Sequence, residues 1–463
     1  MAKDLNNYLA FLEKNYPEQV YHVTREVNPE FEATAIIAKL EKENRFPVVI
    51  FDNVKGSKIP VIINMHANFQ RLAMAIGLPA NAGIQDFIAE YGKRETSPID
   101  PVVVSSKEAP VQEVVWSGDE VDLYKLPLLK YHGRDAGHYI TLGYEIMQYP
   151  ESGNYNAGIY RLMRQTKNEM GIQISETAHG HYILKQYRRD KKVLPFAVTI
   201  GHHPAINLGF LSWAPGQVDD FKIAGGILGE PLRLVKCKTV PVLVPADAQI
   251  VLECEIRPDE FREEAPFGEY PGTYGPQRIN PVVHVKAITM RKNPIYQSCF
   301  VGHPDNLLLS GLTRCTQILR AARMASPTVT AVNMPLSGRC RFTCYVAMDK
   351  LIEGDPKNVA MAVFAADPFL KYVYVVDKDV DVLSDYQVMH AVATRVRADY
   401  DTFMVTHARG SPLDPSSYAP EKGYHLVTKM GIDATRKANY PEEIAVPGTD
   451  DIKLEDYLGK SKS

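Results

Sequence analysis

Four short runs decide the fold: Phe196-Ala197-Val198-Thr199-Ile200, Arg233-Leu234-Val235-Lys236-Cys237, Ile250-Val251-Leu252-Glu253-Cys254 and Val282-Val283-His284-Val285. Each is a brief stretch rich in β-branched and apolar residues and bounded by turn formers, which is the pattern of a strand. The punctuation is densest at Pro271-Gly272-Thr273-Tyr274-Gly275-Pro276. Strands this closely spaced, from about residue 114 to 302, predict a mainly antiparallel sheet or barrel.

The flanks read differently. Towards the N-terminus a helix is expected over 4–14, strands over 46–51 and 59–63, and a second helix over 69–78. Lys107-Glu108-Ala109-Pro110 reads as the connection into the strand-rich region. Towards the C-terminus a helical stretch over 358–365 precedes the apolar run 371–376. Ser384-Asp385-Tyr386-Gln387 has the form of a capping box, opening a helix with Val388, Val392 and Val396 on one face. A strand over 402–405 follows, and this βαβ rhythm implies a parallel or mixed sheet covered by helices. The expected class is α/β (α+β), with an N-terminal α/β domain at 1–115, a central domain at 116–310 and a C-terminal α/β domain at 311–463. A length of 463 residues at about 150 per domain agrees with three. The tail 459–463 is expected to fray.

Composition removes several functions without choosing one. Lys plus Arg number 52 and Asp plus Glu 55, a net charge of −3. That lacks the cationic excess which a nucleic-acid scaffold or polybasic membrane binder needs to meet phosphates. Six cysteines in so long a chain form no disulfide framework, and none makes a CxxC pair. Cys340 and Cys344, alternating with apolar residues, read as buried thiols of a strand. No apolar leader opens the chain and no run approaches the ~18 apolar residues of a membrane span, so a cytoplasmic location is expected.

Four clusters carry chemistry. Glu263-Glu264-Ala265-Pro266-Phe267-Gly268-Glu269-Tyr270 crowds three carboxylates into one segment, and crowding raises the proton affinity of at least one. Asn156 and Arg161, five apart, fall on opposite faces of a strand unless a turn intervenes. Ala178-His179-Gly180-His181 and Val218-Asp219-Asp220-Phe221 complete the set. Each taken alone reads as an ordinary surface or capping feature. Together, an amide oxygen, an imidazole and a carboxylate suit Mg²⁺ or Mn²⁺, which commonly complete their shell with phosphate. No Walker A loop or well-placed GxGxxG offers another phosphate cradle.

At these residues the chain resembles the UbiD-type family of prenylated-FMN-dependent (de)carboxylases, over about residues 5–440. The resemblance rests on Glu264-Ala265-Pro266-Phe267-Gly268-Glu269, on Asn156 to Arg161 with the following Gly171-Ile172-Gln173, and on His179. Two further stretches, 245–253 and 429–435, match as well. It implies a central split β-barrel that binds prenylated FMN and a C-terminal domain that forms a homodimer or higher homo-oligomer. It also implies Asn156 and His179 as ligands of Mn²⁺ or Mg²⁺, with K⁺ as a further candidate cation. Asp220 stands where the family has glutamate, one methylene longer, so either the backbone comes closer or the contact runs through water. Ile159, Arg161 and Lys371 are implied cofactor contacts, Lys371 at the phosphate. Ala178 stands where some relatives carry glutamine, so that side-chain contact is missing.

The implied catalytic group is Arg161, Glu264 and Glu269, with Arg161 pairing Glu264 and Glu269 carrying the proton that replaces CO₂. The expected activity is reversible, non-oxidative decarboxylation of an aromatic, heteroaromatic or α,β-unsaturated carboxylic acid. A flavin prenyltransferase is implied as cofactor supplier. The segment 302–310 is expected to line the substrate pocket, apolar where many relatives place a charge, with His303 a loop residue. Two alternatives stand: an accessory, non-catalytic subunit of a multi-subunit carboxylase, and an FMN reductase.

Overall fold

The computed structural model describes residues 3–213, 218–419, 425–444 and 446–457. The expected fraying at 459–463 lies outside the described residues. A nine-stranded sheet forms the middle of the molecule, and every pairing in it is antiparallel. Its spine is two long strands, Ile250–Glu264 and Arg278–Met290. A register irregularity between Ile256 and Phe261 bends the first before pairing resumes and runs to its last residue, Glu264, opposite Arg278. Leu194–Ile200, Tyr144–Gln148 and Tyr155–Gly158 extend the sheet on one side. Glu169–Ile172, Leu162–Arg164 and Tyr139–Ile140 extend it on the other.

Arg233–Lys236 is the exception among the four deciding runs. It pairs with Leu243–Pro245 and Val102–Val103 in a separate three-stranded sheet, where Arg233 reaches the Asp247 carboxylate at 2.8 Å and the Glu108 carbonyl at 2.7 Å. Strand propensity was legible there; the partner was not.

On the N-terminal side, Val20–Val23, Val48–Phe51 and Val61–Ile63 form a sheet whose fourth strand, Tyr296–Gln297, arrives from beyond the central spine. The first helix runs Leu5–Asn15, with Asp4 capping it by accepting the Asn7 N–H. On the C-terminal side a mixed five-stranded sheet is ordered Val329–Asn333, Thr343–Met348, Tyr372–Asp377, Leu426–Ala434, Thr402–Arg409. Ser384 caps the helix Asp385–Arg395, as its motif predicts, by accepting from the Gln387 N–H. The reciprocal half is replaced: the Gln387 side chain accepts from Asp381 N instead.

Two expectations are corrected. Cys340 is buried but lies in a turn with φ +49°, ahead of the strand that carries Cys344; its Cβ and Sγ pack against Gly311 of a neighbouring helix. His303 is not a plain loop residue but the N-cap of a 22-residue helix, Pro304–Ala325, which the segment 302–310 opens. Proline at the first helical position fits that start, since its missing N–H would have no partner there. Leu307 and Leu309 are buried within the core, so the apolar run reflects helix packing as much as pocket lining. Among the described residues no helix is long and apolar enough to cross a membrane.

Candidate active site

The spine strand delivers Glu264 to the interior at 1 % exposure. Beyond it the backbone turns at Ala265, φ +77°, and is held on both sides. Ala136 N donates to the Pro266 carbonyl at 2.9 Å, and Gly268 N donates to Asp135 Oδ1 at 2.9 Å. The other Asp135 oxygen accepts from Tyr131 N and His132 N. The Phe267 ring packs on Tyr139, centroids 4.5 Å apart. A tight hairpin then pairs Phe267–Gly268 with Tyr274–Gly275, closed by Glu269 N donating to Thr273 O at 2.9 Å. A Cβ at position 275 would lie 3.3 Å from Glu269 Cγ and Oε1, so a glycine there leaves the carboxylate its place.

Arg161 comes from the turn between Tyr155–Gly158 and Leu162–Arg164, so a turn does intervene between Asn156 and Arg161. Its guanidinium grips Glu264 along one edge, Nε to Oε1 at 3.0 Å and Nη2 to Oε2 at 2.9 Å. Nη1 meets Oε1 of Glu269, and the guanidinium carbon lies 5.2 Å from the centroid of the Phe267 ring. Glu264 Oε2 also accepts from Asn280 Nδ2 at 2.8 Å. Glu264 is thereby held by three donors, whereas Glu269 borders a cavity of about 500 Å³. Glu263, the third carboxylate of the segment, is exposed.

Across that cavity lie His132, His303 and Glu41. His303 stacks on Phe300 with centroids 3.5 Å apart, and its Nδ1 meets Glu41 Oε2 at 2.5 Å. Arg339, also on the wall, donates to the Gly302 carbonyl.

A second group surrounds the strand Tyr155–Gly158, which packs against two helices, His179–Arg189 and Asp220–Leu228. The first residue of each is a predicted site residue. Asp219 is the N-cap of the second helix, accepting Phe221 N, which frees Asp220 to turn inward. Asp220 Oδ2 accepts from Asn156 Nδ2 at 3.0 Å and Ala157 N at 2.8 Å. Burial, with the nearby Asp219 charge adding to it, lifts the Asp220 carboxyl to about 8, against the pull of the Ala157 and Asn156 hydrogen bonds. Asn156 Oδ1 is buried and has no hydrogen-bond partner among the described residues. Burial lowers the proton affinity of the His179 ring, which sits edge-on to Tyr149 with centroids 6.2 Å apart. An orphaned amide oxygen, a carboxylate starved of positive charge and an imidazole kept neutral form a donor set that fits a hard divalent cation.

The remaining predicted residues are placed apart from these contacts. Ile159 packs half-buried against the core. Lys371 forms an ion pair with Asp414 at 2.9 Å and donates to Ser416, so its charge is already answered within the C-terminal region. Sequence reasoning missed Asn280, Asp135 and Glu41, whose roles depend on neighbours far along the chain and which carry no local motif. Glu145 also went unnoticed, although a carboxylate inside the apolar run Tyr144-Glu145-Ile146-Met147 was a readable signal.

Comparison with known proteins finds relatives along nearly the whole chain. Family models of the 3-octaprenyl-4-hydroxybenzoate carboxy-lyase (UbiD) match in all three parts: the N-terminal domain over residues 10–91, the Rift-related domain over 102–304 and the C-terminal domain over 307–434. The anhydromevalonate phosphate decarboxylase of Methanosarcina mazei is 34% identical over 418 residues, covering 90% of this chain and 93% of that one. The phenolic acid decarboxylase of Sedimentibacter hydroxybenzoicus is 32% identical, covering 94% and 92%. Among solved structures, the UbiD-class enzyme HmfF from Pelotomaculum thermopropionicum in complex with FMN superposes with a TM-score of 0.91 at 36% identity, covering 98% of this chain and all of that one. An evolved dimeric form of it in complex with prFMN gives 0.89 at 34% identity, covering 99% and 100%. With all three domains matched and relatives aligned over nine-tenths of its length, this chain belongs to the UbiD family of carboxy-lyases.

Proposed function

We propose that this decarboxylase acts non-oxidatively, and reversibly in principle, on an aromatic, heteroaromatic or α,β-unsaturated carboxylic acid, with prenylated FMN as cofactor and Glu269 as proton donor. The observation that carries the reading is the division of labour around Arg161. One guanidinium neutralises one carboxylate, and Glu264 takes one whole edge of it together with Asn280. Glu269, sharing the same cation by a single contact and bordering the cavity, is the carboxyl free to exchange a proton with a bound molecule. The flavin, when bound, supplies the electron sink that makes loss of CO₂ from an sp² carbon feasible. Arg161 holds Glu264 still and steers Glu269. The rings of His132, Tyr274 and His303 on the cavity wall suit a planar molecule. An accessory, non-catalytic role is disfavoured by a complete and mutually contacting Arg161–Glu264–Glu269 set.

Asn156, His179 and Asp220 are proposed to hold Mn²⁺ or Mg²⁺, which would tie the cofactor phosphate to the chain; a flavin prenyltransferase is the proposed cofactor supplier. Asp220→Asn is expected to weaken Mn²⁺ affinity by about 10–100-fold, read by electron paramagnetic resonance of Mn²⁺ titrated into metal-free protein. Homo-oligomerisation through the C-terminal region belongs to the same reading, supported by the edge strand Thr402–Arg409, on which Met404 is 64% exposed. The decisive experiment is a panel of unsaturated acids incubated with cofactor-loaded protein, monitored for CO₂ release and for deuterium uptake into product. Aryl, heteroaryl or acrylic acids should turn over, and failure of all of them with flavin bound would sink the assignment.

A further inference from the structure

We propose that Glu145 and Tyr160 are positioning residues that set the spacing between the strand of Asn156, with the turn of Arg161 that follows it, and the helix that begins at His179. The proposal rests on the reading of Asn156 and His179 as ligands of one metal. The relevant contacts run in a single line. Tyr160 is the residue immediately before Arg161, and its hydroxyl oxygen accepts the N–H of Gly180 at 3.1 Å. That N–H is one of the first of the helix His179–Arg189, and a helix offers its first N–H groups no acceptor of its own. Ala178, at the N-cap, has no side chain able to supply one. The phenol of Tyr160 therefore does from across the gap what a serine or aspartate cap does locally.

The ring is also wedged. A Cβ at position 158 or at position 180 would lie 2.8 Å from Tyr160 ring or hydroxyl atoms. Glycine on both sides, one on the strand of Asn156 and one on the helix of His179, lets a single aromatic ring act as the spacer between them. The other end of the tyrosine is fixed by its backbone, because Tyr160 N donates to Glu145 Oε2 at 2.8 Å.

Glu145 is a costly choice for this task. It is fully buried on the strand Tyr144–Gln148, opposite Gly158 in the ladder, and its Oε1 has no partner among the described residues. Burial drives its carboxyl well above the usual range. A leucine would fill the space without the desolvation cost, but only an acceptor can hold the Tyr160 N–H, which leaves the strand ladder at the turn. The helix of His179 packs against both strands that this line crosses, so a shift of Tyr160 moves Arg161 along the chain and His179 across the gap.

The test uses the full-length protein freed of metal and flavin, with Tyr160→Phe, Glu145→Leu and Glu145→Gln compared with wild type. The readouts are Mn²⁺ affinity and line shape by electron paramagnetic resonance, and hydrogen exchange at the Gly180 amide. Tyr160→Phe keeps the wedge and removes the acceptor; it should accelerate Gly180 exchange and weaken Mn²⁺ binding at least about 10-fold. Glu145→Leu should weaken Mn²⁺ binding similarly, and Glu145→Gln, which keeps a neutral acceptor, should restore most of the loss. Unchanged Gly180 exchange in Tyr160→Phe, or wild-type Mn²⁺ affinity in that variant, would overturn the proposal, as would equal loss in both Glu145 variants. Wild-type protein that takes up no Mn²⁺ would instead overturn the metal reading, and the Gly180 exchange rates would then decide the positioning on their own.

Discussion

Glu269→Gln is expected to lower CO₂ release by about 10²–10⁴-fold while flavin remains bound, the range typical for loss of a positioned general acid. The amide keeps the size of the carboxyl and can still meet Arg161, so the hairpin and the cavity wall should persist. What it cannot do is give up and regain a proton at the replaced carbon. Flavin content is read from the absorbance of purified protein and turnover from CO₂ release, with deuterium uptake as a check that protonation is the affected step. Full turnover in this variant would remove Glu269 as proton donor. Glu264→Gln should behave differently, because it breaks a bidentate charge pair and leaves Arg161 free to pair with Glu269.

The largest expected effect on stability is at Asp305, far in sequence from any catalytic candidate. Asp305 is the second residue of the helix Pro304–Ala325, where a negative charge meets the positive end of the helix dipole. Its carboxylate, wholly buried, accepts from Asn64 N at 3.0 Å, His66 N at 2.8 Å and His66 Nδ1 at 3.1 Å. His66 Nε2 in turn meets Asn207 Nδ2 at 2.9 Å, which fits an imidazole protonated on Nδ1 and accepting at Nε2. Three distant segments are thus tied at the base of the helix whose first turn borders the cavity. Asp305→Ala strands three donors with no route to water and should cost about 3–5 kcal/mol, read as a lowered midpoint of urea unfolding. Asp305→Asn, which keeps one acceptor oxygen, should cost less.

The pH dependence follows with a definite sign. Burial opposes ionisation of Asp305, but the hydrogen bonds from the His66 ring and from the backbone of His66 and Asn64 outweigh it, so its carboxyl is held below the usual range. An unfolded aspartate titrates near ~3.9. The stabilisation is therefore complete above that value and is lost as pH falls through the lower folded value. Wild type should lose more stability than Asp305→Asn on acidification from about pH 5 to pH 3, measured by urea midpoints at each pH.

Much of the local structure was legible because it depends on neighbours a few residues away. The strands Leu194–Ile200 and Thr402–Arg409, the Ser384 cap and the Asp219-Asp220 helix start follow from side-chain period and capping chemistry. The motif Glu264, Pro266, Gly268, Glu269 was visible as a loop, whereas the strand end at Glu264 and the hairpin after it came only with the structure. The helix at 304 went unread for a related reason: a proline followed by leucines has the same composition whether it lines a pocket or opens a helix.

The sequence by itself determined the class of the protein, the antiparallel centre between two α/β regions, and the residue types able to hold a cation and move a proton. Only the tertiary structure decided which of them meet. Arg161 and Glu264 are 103 positions apart, Asn156 and Asp220 are 64 apart, and Asn280 joins through a sheet register that no local pattern encodes. Tyr160 gains its meaning from two glycines on different elements, and Asp305 from backbone N–H groups more than 200 residues away. The reason is physical. Period and capping act over one or two turns of chain, whereas burial, ion pairing and the fate of a buried polar atom are set by whatever the packed sheet and helices bring beside it.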